Sequence, residues 1–545
     1  MSIKNQKYDF VVIGSGPGGG AFAWKLASKG VKVLVLETGP RYDPYKDYNL
    51  DKDDWELKRF PKRKRFKYEY GVSQPLSRNF DFLHSRNVAN GRLNKSGKRR
   101  YSGYKQVLGV GGTTLHFQGE AHRLNPGFFK TNTKYGYGTD WPISYEELEP
   151  YYSEAEKVIG VAGPKDLPDR PMSTPYPLPP HKLSYASQFI ERGCNKLGYR
   201  IFPNSLAILS KYYRDNVPCN YCNGCTHGCP LKDKGSVDVT FIPMAEQTNN
   251  CEVRSGAYVS RIVVSKNLGR KSVDGVLYYD DSGKEHFAQA KNVAVACGAV
   301  QTARLLLNSE INNNGLVGKN FMETLFHQVY AFHPDRLDSY RGVPLDTSIW
   351  EWAKPDIRPG AYRISTFTGS AVGPIGYATH FHTGWGEEFE KAVEKSFGHA
   401  FGLVAIGEFL PNSETFVSLS DSKKDKYGLP VAKVQSVLSG QELEILEVMH
   451  DKCSEILSAS GAKEIVEIYS AYDFFAATHV FGTCRMGDNP ETSVVDSNQK
   501  FRGIENLYIT DASVFPSSGG GESPSLTIEA LSLRAAEKFV QNSKQ

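Results

Sequence analysis

Hydrophobic and polar positions along the chain form blocks of two kinds, short unbroken apolar runs and longer stretches at helical spacing. Residues 8–13 (YDFVVI) predict a fully buried strand, followed by Gly14-Ser15-Gly16-Pro17-Gly18-Gly19 and a helical stretch, AFAWKLASKG, that stops at Gly30. A second apolar strand, VKVLVLE, ends in Glu37. Residues 290–309 (AKNVAVACGAVQTARLLLNS) repeat this grammar as a strand, a turn at Gly298 and a helix, and before them YVSRIVVS (258–265) and GVLYY (275–279) predict a hairpin. Residues 330–420 differ: segments such as YRISTFTGSAVGPIGYATHFHTG alternate aromatic and apolar residues with turn signals, as an antiparallel sheet does. Helical periodicity returns at 440–460, where it predicts a helix packed on that sheet. Near the end, GIENLYITDASVFP (503–516) holds a strand leading to Asp511, and 525–540 predict an amphipathic helix. A late strand returning to a sheet begun at the N-terminus means that one domain is built from both chain ends and the rest is inserted.

The pattern therefore predicts an α/β protein, α+β overall. A dinucleotide-binding domain takes residues 1–41, 105–150, 216–325 and 475–545, and an antiparallel-sheet substrate domain takes 151–215 and 326–474. Residues 42–104, charged and aromatic with no clear period, form an irregular excursion. At 545 residues the chain is too long for a lone small module, and 40% apolar residues, 23% charged residues and a mean hydropathy of −0.42 supply an interior without a signature of global disorder. No repeat at solenoid spacing occurs, and no window approaches the ~18 uninterrupted apolar residues of a membrane span. MSIKNQKYDF runs straight into a strand without an apolar leader or a twin-arginine signal. The expectation is a cytoplasmic chain, periplasmic only if co-exported with a partner that carries a signal, and not an integral membrane protein.

Charge changes the picture little. The net charge of +5 is too weak a bias for nucleic acid, and none is expected as a partner. One local run, Lys58 to Lys67, has seven basic residues in ten and reads as a solvated face or a dock for an acidic partner.

The glycine run carries chemistry because it lies between a strand and a helix. Gly14 permits the tight turn, Gly16 lets backbone approach a pyrophosphate, and Gly19 lets the helix pack close to the strand, with the helix N-terminus facing the anion. Glu37, 23 positions after Gly14, stands where a carboxylate accepts ribose hydroxyls. The motif alone does not choose the dinucleotide.

Of nine cysteines, four crowd into CNYCNGCTHGCP as Cys219, Cys222, Cys225 and Cys229. Such crowding argues against a disulfide framework. The C-x2-C-x2-C-x3-C-P spacing is that of ferredoxin runs whose thiolates wrap an iron–sulfur cluster. Zinc and a metal-free set of thiols are the competing readings.

The fingerprint from Gly14 to Glu37, VLGVGGTTLHFQGEAHR (107–123), GAVQTARLLLNS (298–309) with GLVGKNFME (315–323), and HVFGTCRMG (479–487) with ENLYITDASVFP (505–516) occur in the order found in glucose-methanol-choline (GMC) oxidoreductases. The chain resembles that family over both ends and most of the nucleotide half. Within it, GGTTLHF and the cysteine run look most like the flavoprotein subunits of bacterial fructose, glucose and gluconate dehydrogenases. The resemblance implies a Rossmann-type FAD-binding domain plus an antiparallel-sheet substrate domain, and oxidation of an alcohol carbon of a sugar, polyol or sugar acid by hydride transfer to flavin N5. It implies cofactor contacts from Gly111, Gly112, Thr113, Val259 and Asp511 besides the glycine run, and a flavin bond or a packing contact from His116.

His479 matches the family's catalytic histidine, a base suited to neutral pH, with a structural histidine as the alternative. The family places His or Asn before the Pro of a PxLT-like run. Here the run is Pro524-Ser525-Leu526-Thr527 and the preceding residue is Ser523, which can orient a substrate oxygen but cannot act as a second base. Either His479 works alone or Glu522 contributes. A 3Fe-4S or 4Fe-4S cluster in the cysteine run would pass electrons to a cytochrome or quinone acceptor, with a small subunit as a further partner. The alternatives are an O2-using alcohol oxidase with a structural cysteine run, a lyase that retains FAD without redox chemistry, and a redox-inert binding protein held by zinc.

Overall fold

Seven strands form the first sheet, in the order 251–255, 33–37, 8–13, 285–295, 270–279, 258–267, with 507–509 also paired to 285–295. The structure is a computed structural model that describes residues 8–48, 83–87, 100–101, 106–367, 382–475 and 479–543. Strand Tyr8–Ile13 runs parallel to both Val33–Glu37 and the far half of Glu285–Val295, and Leu507–Ile509 continues the parallel part on the other side of Glu285–Val295. The near half of that long strand pairs antiparallel with the hairpin Tyr258–Asn267/Arg270–Tyr279. One strand thus welds a nucleotide-type parallel sheet to a hairpin. The C-terminal strand enters the sheet that the N-terminus began, as expected from its sequence.

The apolar runs explain the layers. Side chains alternate across a strand, so Phe10 and Val12 share one face, where they meet Phe22 and Leu26 of helix Pro17–Ser28 and Ala535, Ala536 and Val540 of helix Ser525–Asn542. Phe10 packs edge-on against Phe22 at 5.4 Å and Phe539 at 4.7 Å, geometries worth ~0.5–1.5 kcal/mol each beyond their buried area. Helix Ser525–Asn542 also packs on helix Tyr145–Ile159. Its N-terminus, directly after Ser523, is thereby held in place.

The second sheet is antiparallel throughout, in the order 464–470, 325–332, 400–407, 362–366, 347–349, 202–203. Helix Gly440–Ala459 lies across it, started by a capping box between Ser439 and Glu442, and packs against helix Tyr185–Leu197. The expected hairpin is longer than its apolar core, because the polar ends of KNLGRKSVD pair as strand and leave only Leu268 and Gly269 at the turn. The basic run 58–67 and part of the aromatic stretch, 368–381, lie outside the described residues. Among the described residues no helix is long and apolar enough to cross a membrane.

Candidate active site

Two glycine-rich loops meet backbone to backbone at the start of helix Pro17–Ser28. Gly14 has φ +96°, and a Cβ there would fall 2.5 Å from the Ala296 carbonyl oxygen. A Cβ on Gly112, in the turn Gly112–Leu115, would fall 2.8 Å from the Gly16 Cα. No side chain caps the helix at Gly16, so its first N–H groups stay open to an anion. The Glu37 carboxylate ties the loops together: Oε2 accepts from the Ser15 N–H (3.1 Å) and hydroxyl (2.8 Å), and Oε1 from the Gly39 N–H (2.8 Å). The Gly111 N–H in turn donates to Ser15 Oγ at 3.1 Å. The Gly109 N–H adds a further favourable contact to the Glu37 carboxylate, so both glycine-rich loops point donors at it. Burial raises the Glu37 pKa against the pull of these N–H donors. This cradle fits FAD.

The other expected contacts surround it. Thr113 lies in the turn whose C-terminal end is the half-buried His116. Val259 is buried in the hairpin strand that follows Ala257, whose N–H donates to the Glu37 carbonyl at 2.8 Å. Asp511 is committed to the protein, accepting from the Gly298 N–H (2.9 Å), the Thr302 hydroxyl (2.5 Å) and the Ser513 N–H (2.9 Å). Its role in this structure is to seat helix Ala299–Asn308.

At the far side of the flavin half, Ser523 and His479 converge on a residue that sequence reasoning did not single out, Glu120. The Ser523 hydroxyl donates to Glu120 Oε2 at 2.7 Å, Arg363 Nη2 reaches the two carboxylate oxygens at 2.7 and 2.8 Å, and Asn204 Nδ2 donates to Oε1 at 3.0 Å. The Ser523 N–H donates to His122 Nδ1 at 3.1 Å, so His122 carries its hydrogen on Nε2, 2.8 Å from Asn204 Oδ1. Arg363 also donates to the Gly521 carbonyl at 2.6 Å. Arg170 donates to Glu522 at 2.5 Å, and that carboxylate also accepts from the Asn125 and Gly520 N–H groups at 3.2 and 2.7 Å. These bonds tie Glu522 to the loop that carries Ser523.

The charges decide the protonation states. Burial alone would raise the Glu120 pKa, but Arg363, then His122 and the Ser523 hydroxyl, hold it down to about 2. Burial pushes His479 down to about 4, with Glu120 opposing and Arg363 reinforcing the fall. Burial and Arg363 push His122 down to about 3 against Glu120. At neutral pH Glu120 is ionised beside Arg363, and His122 and His479 are neutral imidazoles.

The cysteine run lies beside the flavin half. Buried Lys234 donates to the carbonyls of Leu115 and Phe117, on either side of His116, at 3.0 and 3.1 Å, and to that of Cys225 at 2.7 Å. The Tyr221 and Gly224 N–H groups donate to the sulfurs of Cys219 and Cys222 at 3.3 and 3.4 Å, and the Cys229 thiol donates to Asp233 at 3.0 Å. Burial raises all four thiol pKa values, to about 12 for Cys225 and Cys229. Among the described residues no group of three or more His, Cys, Asp or Glu is arranged to hold a metal ion.

Family models place the chain. Residues 138–326 and 411–532 match the two GMC oxidoreductase models, more than half of the chain between them, and residues 12–42 match an NAD(P)-binding Rossmann-like domain. The chain belongs to the GMC oxidoreductase family, and it is an FAD-type oxidoreductase acting on alcohol groups. The reading as a redox-inert zinc-held protein is thereby overturned. Among its relatives, 2-methyl-1,2-propanediol dehydrogenase of Mycolicibacterium austroafricanum is 28% identical, covering 98% of this chain and 96% of the relative. The fructose dehydrogenase large subunit of Gluconobacter japonicus is 27% identical over the full length of both. The crystal structure of pyridoxine 4-oxidase from Mesorbium loti shares the fold, with a TM-score of 0.63, 15% identity, and coverage of 98% of this chain and 99% of that one.

Proposed function

We propose that this enzyme oxidises a hydroxyl-bearing carbon of a sugar, polyol or sugar acid, with His479 as the proton acceptor and Ser523 orienting the substrate. The reading rests on the match of His479 to the family's histidine, with burial holding its imidazole neutral at neutral pH within electrostatic reach of the Glu120 carboxylate, which is bonded to the Ser523 hydroxyl at 2.7 Å. Held between the two glycine loops, FAD would supply the hydride-accepting chemistry. His479 takes the hydroxyl proton, and Glu120 supports the positive charge that then develops on the ring while Arg363 limits how far the ring's basicity rises. Two relatives named for a 1,2-diol and for fructose support a polyol-like substrate. Replacing His479 with Ala should leave FAD bound and slow anaerobic flavin reduction by ~10²–10⁴-fold, the usual worth of a general base. Reduction at the parent rate would remove His479 from the mechanism. His116, at the edge of the same turn, is proposed as a flavin attachment point; acid precipitation separates the cases, since a linked flavin stays with the pellet.

For the exit of electrons, the spacing of the cysteine run and its tether to the carbonyls around His116 support an iron–sulfur relay to a cytochrome or quinone, with a small subunit as partner. The contacts of the run with the protein itself, the Cys229 thiol with Asp233 and the Cys225 carbonyl with Lys234, support a second reading, an oxidase that uses O2 with a structural cysteine run. Iron and sulfide assays on anaerobically purified protein decide between the two, and under the relay reading Cys222→Ser abolishes acceptor turnover while flavin reduction by substrate persists.

A further inference from the structure

The buried network around Ser523 fixes the direction of every hydrogen bond in it. Glu120 accepts from Arg363 at both oxygens, from Asn204 and from Ser523. That fills the roughly four lone-pair positions of a carboxylate. A carboxylate paired with a fully buried guanidinium carries no hydrogen to give, so the serine must be the donor in the 2.7 Å contact. A hydroxyl has one hydrogen. Once it is committed to Glu120, the Ser523 oxygen has only lone pairs left to offer.

The surrounding groups prevent a reversal. The Ser523 N–H occupies His122 Nδ1, the other ring nitrogen therefore donates to Asn204 Oδ1, and the Asn204 amide must then turn its Nδ2 to Glu120 and to the Leu345 carbonyl, 2.8 Å away. Turning any member round would set a buried donor against a donor and leave both without a partner.

We propose that Ser523, held in this polarity by Glu120, is a specificity-determining acceptor for a second hydroxyl next to the one oxidised, so that the enzyme takes vicinal diols and polyols in preference to mono-alcohols. This rests on the reading of His479 as the base and of Ser523 as a substrate neighbour. The reacting hydroxyl has a single proton, and that proton goes to His479, so an acceptor-only serine cannot bond it without competing with its removal. A second hydroxyl has a hydrogen to spare. A mono-alcohol puts a C–H where that donor belongs and leaves the serine lone pairs unpaired in a dry site, the arrangement by which a hydrogen-bonding pocket rejects an analogue lacking the group. Glu120, which acts through Ser523, is a positioning residue.

The test uses the flavin-loaded enzyme under anaerobic conditions, with propane-1,2-diol compared against propan-1-ol and propan-2-ol as reductants of the flavin. The parent should favour the diol by ~10–100-fold in kcat/KM, the cost of leaving one buried acceptor unpaired. Ser523→Ala should collapse that ratio to within a few-fold, and Ser523→Asn, which brings an amide donor, should shift it toward the mono-alcohols. A general structural defect would slow all three alcohols together and leave the ratio unmoved. A parent without the preference, or a Ser523→Ala variant that keeps it, overturns the proposal, and the parent measurement needs no variant to fold. His479→Ala is run alongside: if it loses flavin reduction while Ser523→Ala keeps the diol preference, the base stands and this proposal falls. If His479→Ala reduces flavin at the parent rate, the base reading itself has failed.

Discussion

Two carboxylates, Glu37 and Glu120, organise the two halves of the cofactor-and-substrate region, and both are buried. Glu37 is surrounded by neutral donors, the N–H groups of Ser15 and Gly39 and one hydroxyl, and desolvation prevails: its pKa goes up. Glu120 has a guanidinium at 2.7 Å, and that cation, with His122, outweighs the same desolvation and takes the pKa down to about 2. Asp511, bound only by neutral donors, follows Glu37 upward. Burial alone therefore does not set the charge of these acids: at Glu120 the paired cation outweighs it, whereas at Glu156, held by Arg123 at 2.6 Å, burial still prevails and the pKa goes up. The distinction matches the work of each site. A dinucleotide cradle needs an acceptor for hydroxyls beside a pyrophosphate, whereas a proton-accepting imidazole needs a permanent anion near it.

The largest effect should come from removing the cation. Arg363→Met leaves Glu120 ionised and unpaired in the interior, a loss of ~3–5 kcal/mol at neutral pH by urea unfolding of the flavin-loaded enzyme. Without Arg363, Glu120 should titrate as Glu37 does, with a raised pKa, so the deficit shrinks as the pH falls from 7 to 5 and the stranded carboxylate takes up a proton. An equal deficit at both pH values would mean that Arg363 contributes packing alone, against Trp350 and Ser365, and that the contrast between the two acids has another cause.

The two sites were legible in the sequence to different degrees, for a physical reason. The cradle is local: strand, glycine turn, helix, strand and acid fall within 30 residues, and the backbone conformation at Gly14 is one that only such a turn demands. The Glu120 cluster joins residues 120, 122, 204, 363 and 523 through sheet order and domain contact, which no spacing reveals. His479 and Ser523 were reached only through resemblance. A signal did exist at Arg363, a charge in the middle of the strand Tyr362–Thr366 (YRIST) between apolar neighbours, whose side chain shares one strand face with Ser365. A lone arginine at the centre of a buried strand marks a paired acid on the facing element. For the cysteine run the spacing is specific, yet among the described residues no group of three or more His, Cys, Asp or Glu is arranged to hold a metal ion.

A smaller effect should follow from neutralising the acid. Glu120→Gln keeps the shape and some hydrogen bonds but removes the charge, at a cost of ~1.5–3 kcal/mol, the range for hydrogen bonds to charged groups. Because the folded-state pKa of Glu120 is depressed from 4.5 to about 2, its contribution is fully present above about pH 4.5 and fades as the pH falls toward 2. The variant should lack that part of the acid unfolding profile. His479 also loses the anion that props up its basicity, leaving burial and Arg363 to depress it further, so the acid limb of flavin reduction should move to lower pH in a pH–rate profile. A limb that moves upward or stays in place breaks the link between Glu120 and His479.

The smallest effect should be at Glu37, where no cation is stranded. Glu37→Gln sets an amide N–H against one of the donors now facing the carboxylate, a loss of about 1 kcal/mol. The sign of its pH dependence is the reverse of that for Glu120. A carboxyl with a raised folded-state pKa contributes stability that is fully present below its unfolded value and is lost as the pH rises through the folded value, so the parent should gain stability relative to Glu37→Gln as the solution is made mildly acidic. The same substitution takes away an acceptor for the ribose, and FAD should bind several-fold more weakly, measured in a His116→Ala background so that a covalent link cannot mask the change. Two outcomes would undo the contrast drawn between the acids. If Glu37→Gln destabilised the protein as much as Arg363→Met does, Glu37 would be holding a charge partner that its neutral donors do not represent. If its pH dependence had the same sign as that of Glu120→Gln, burial without a cation would not be what raises its pKa.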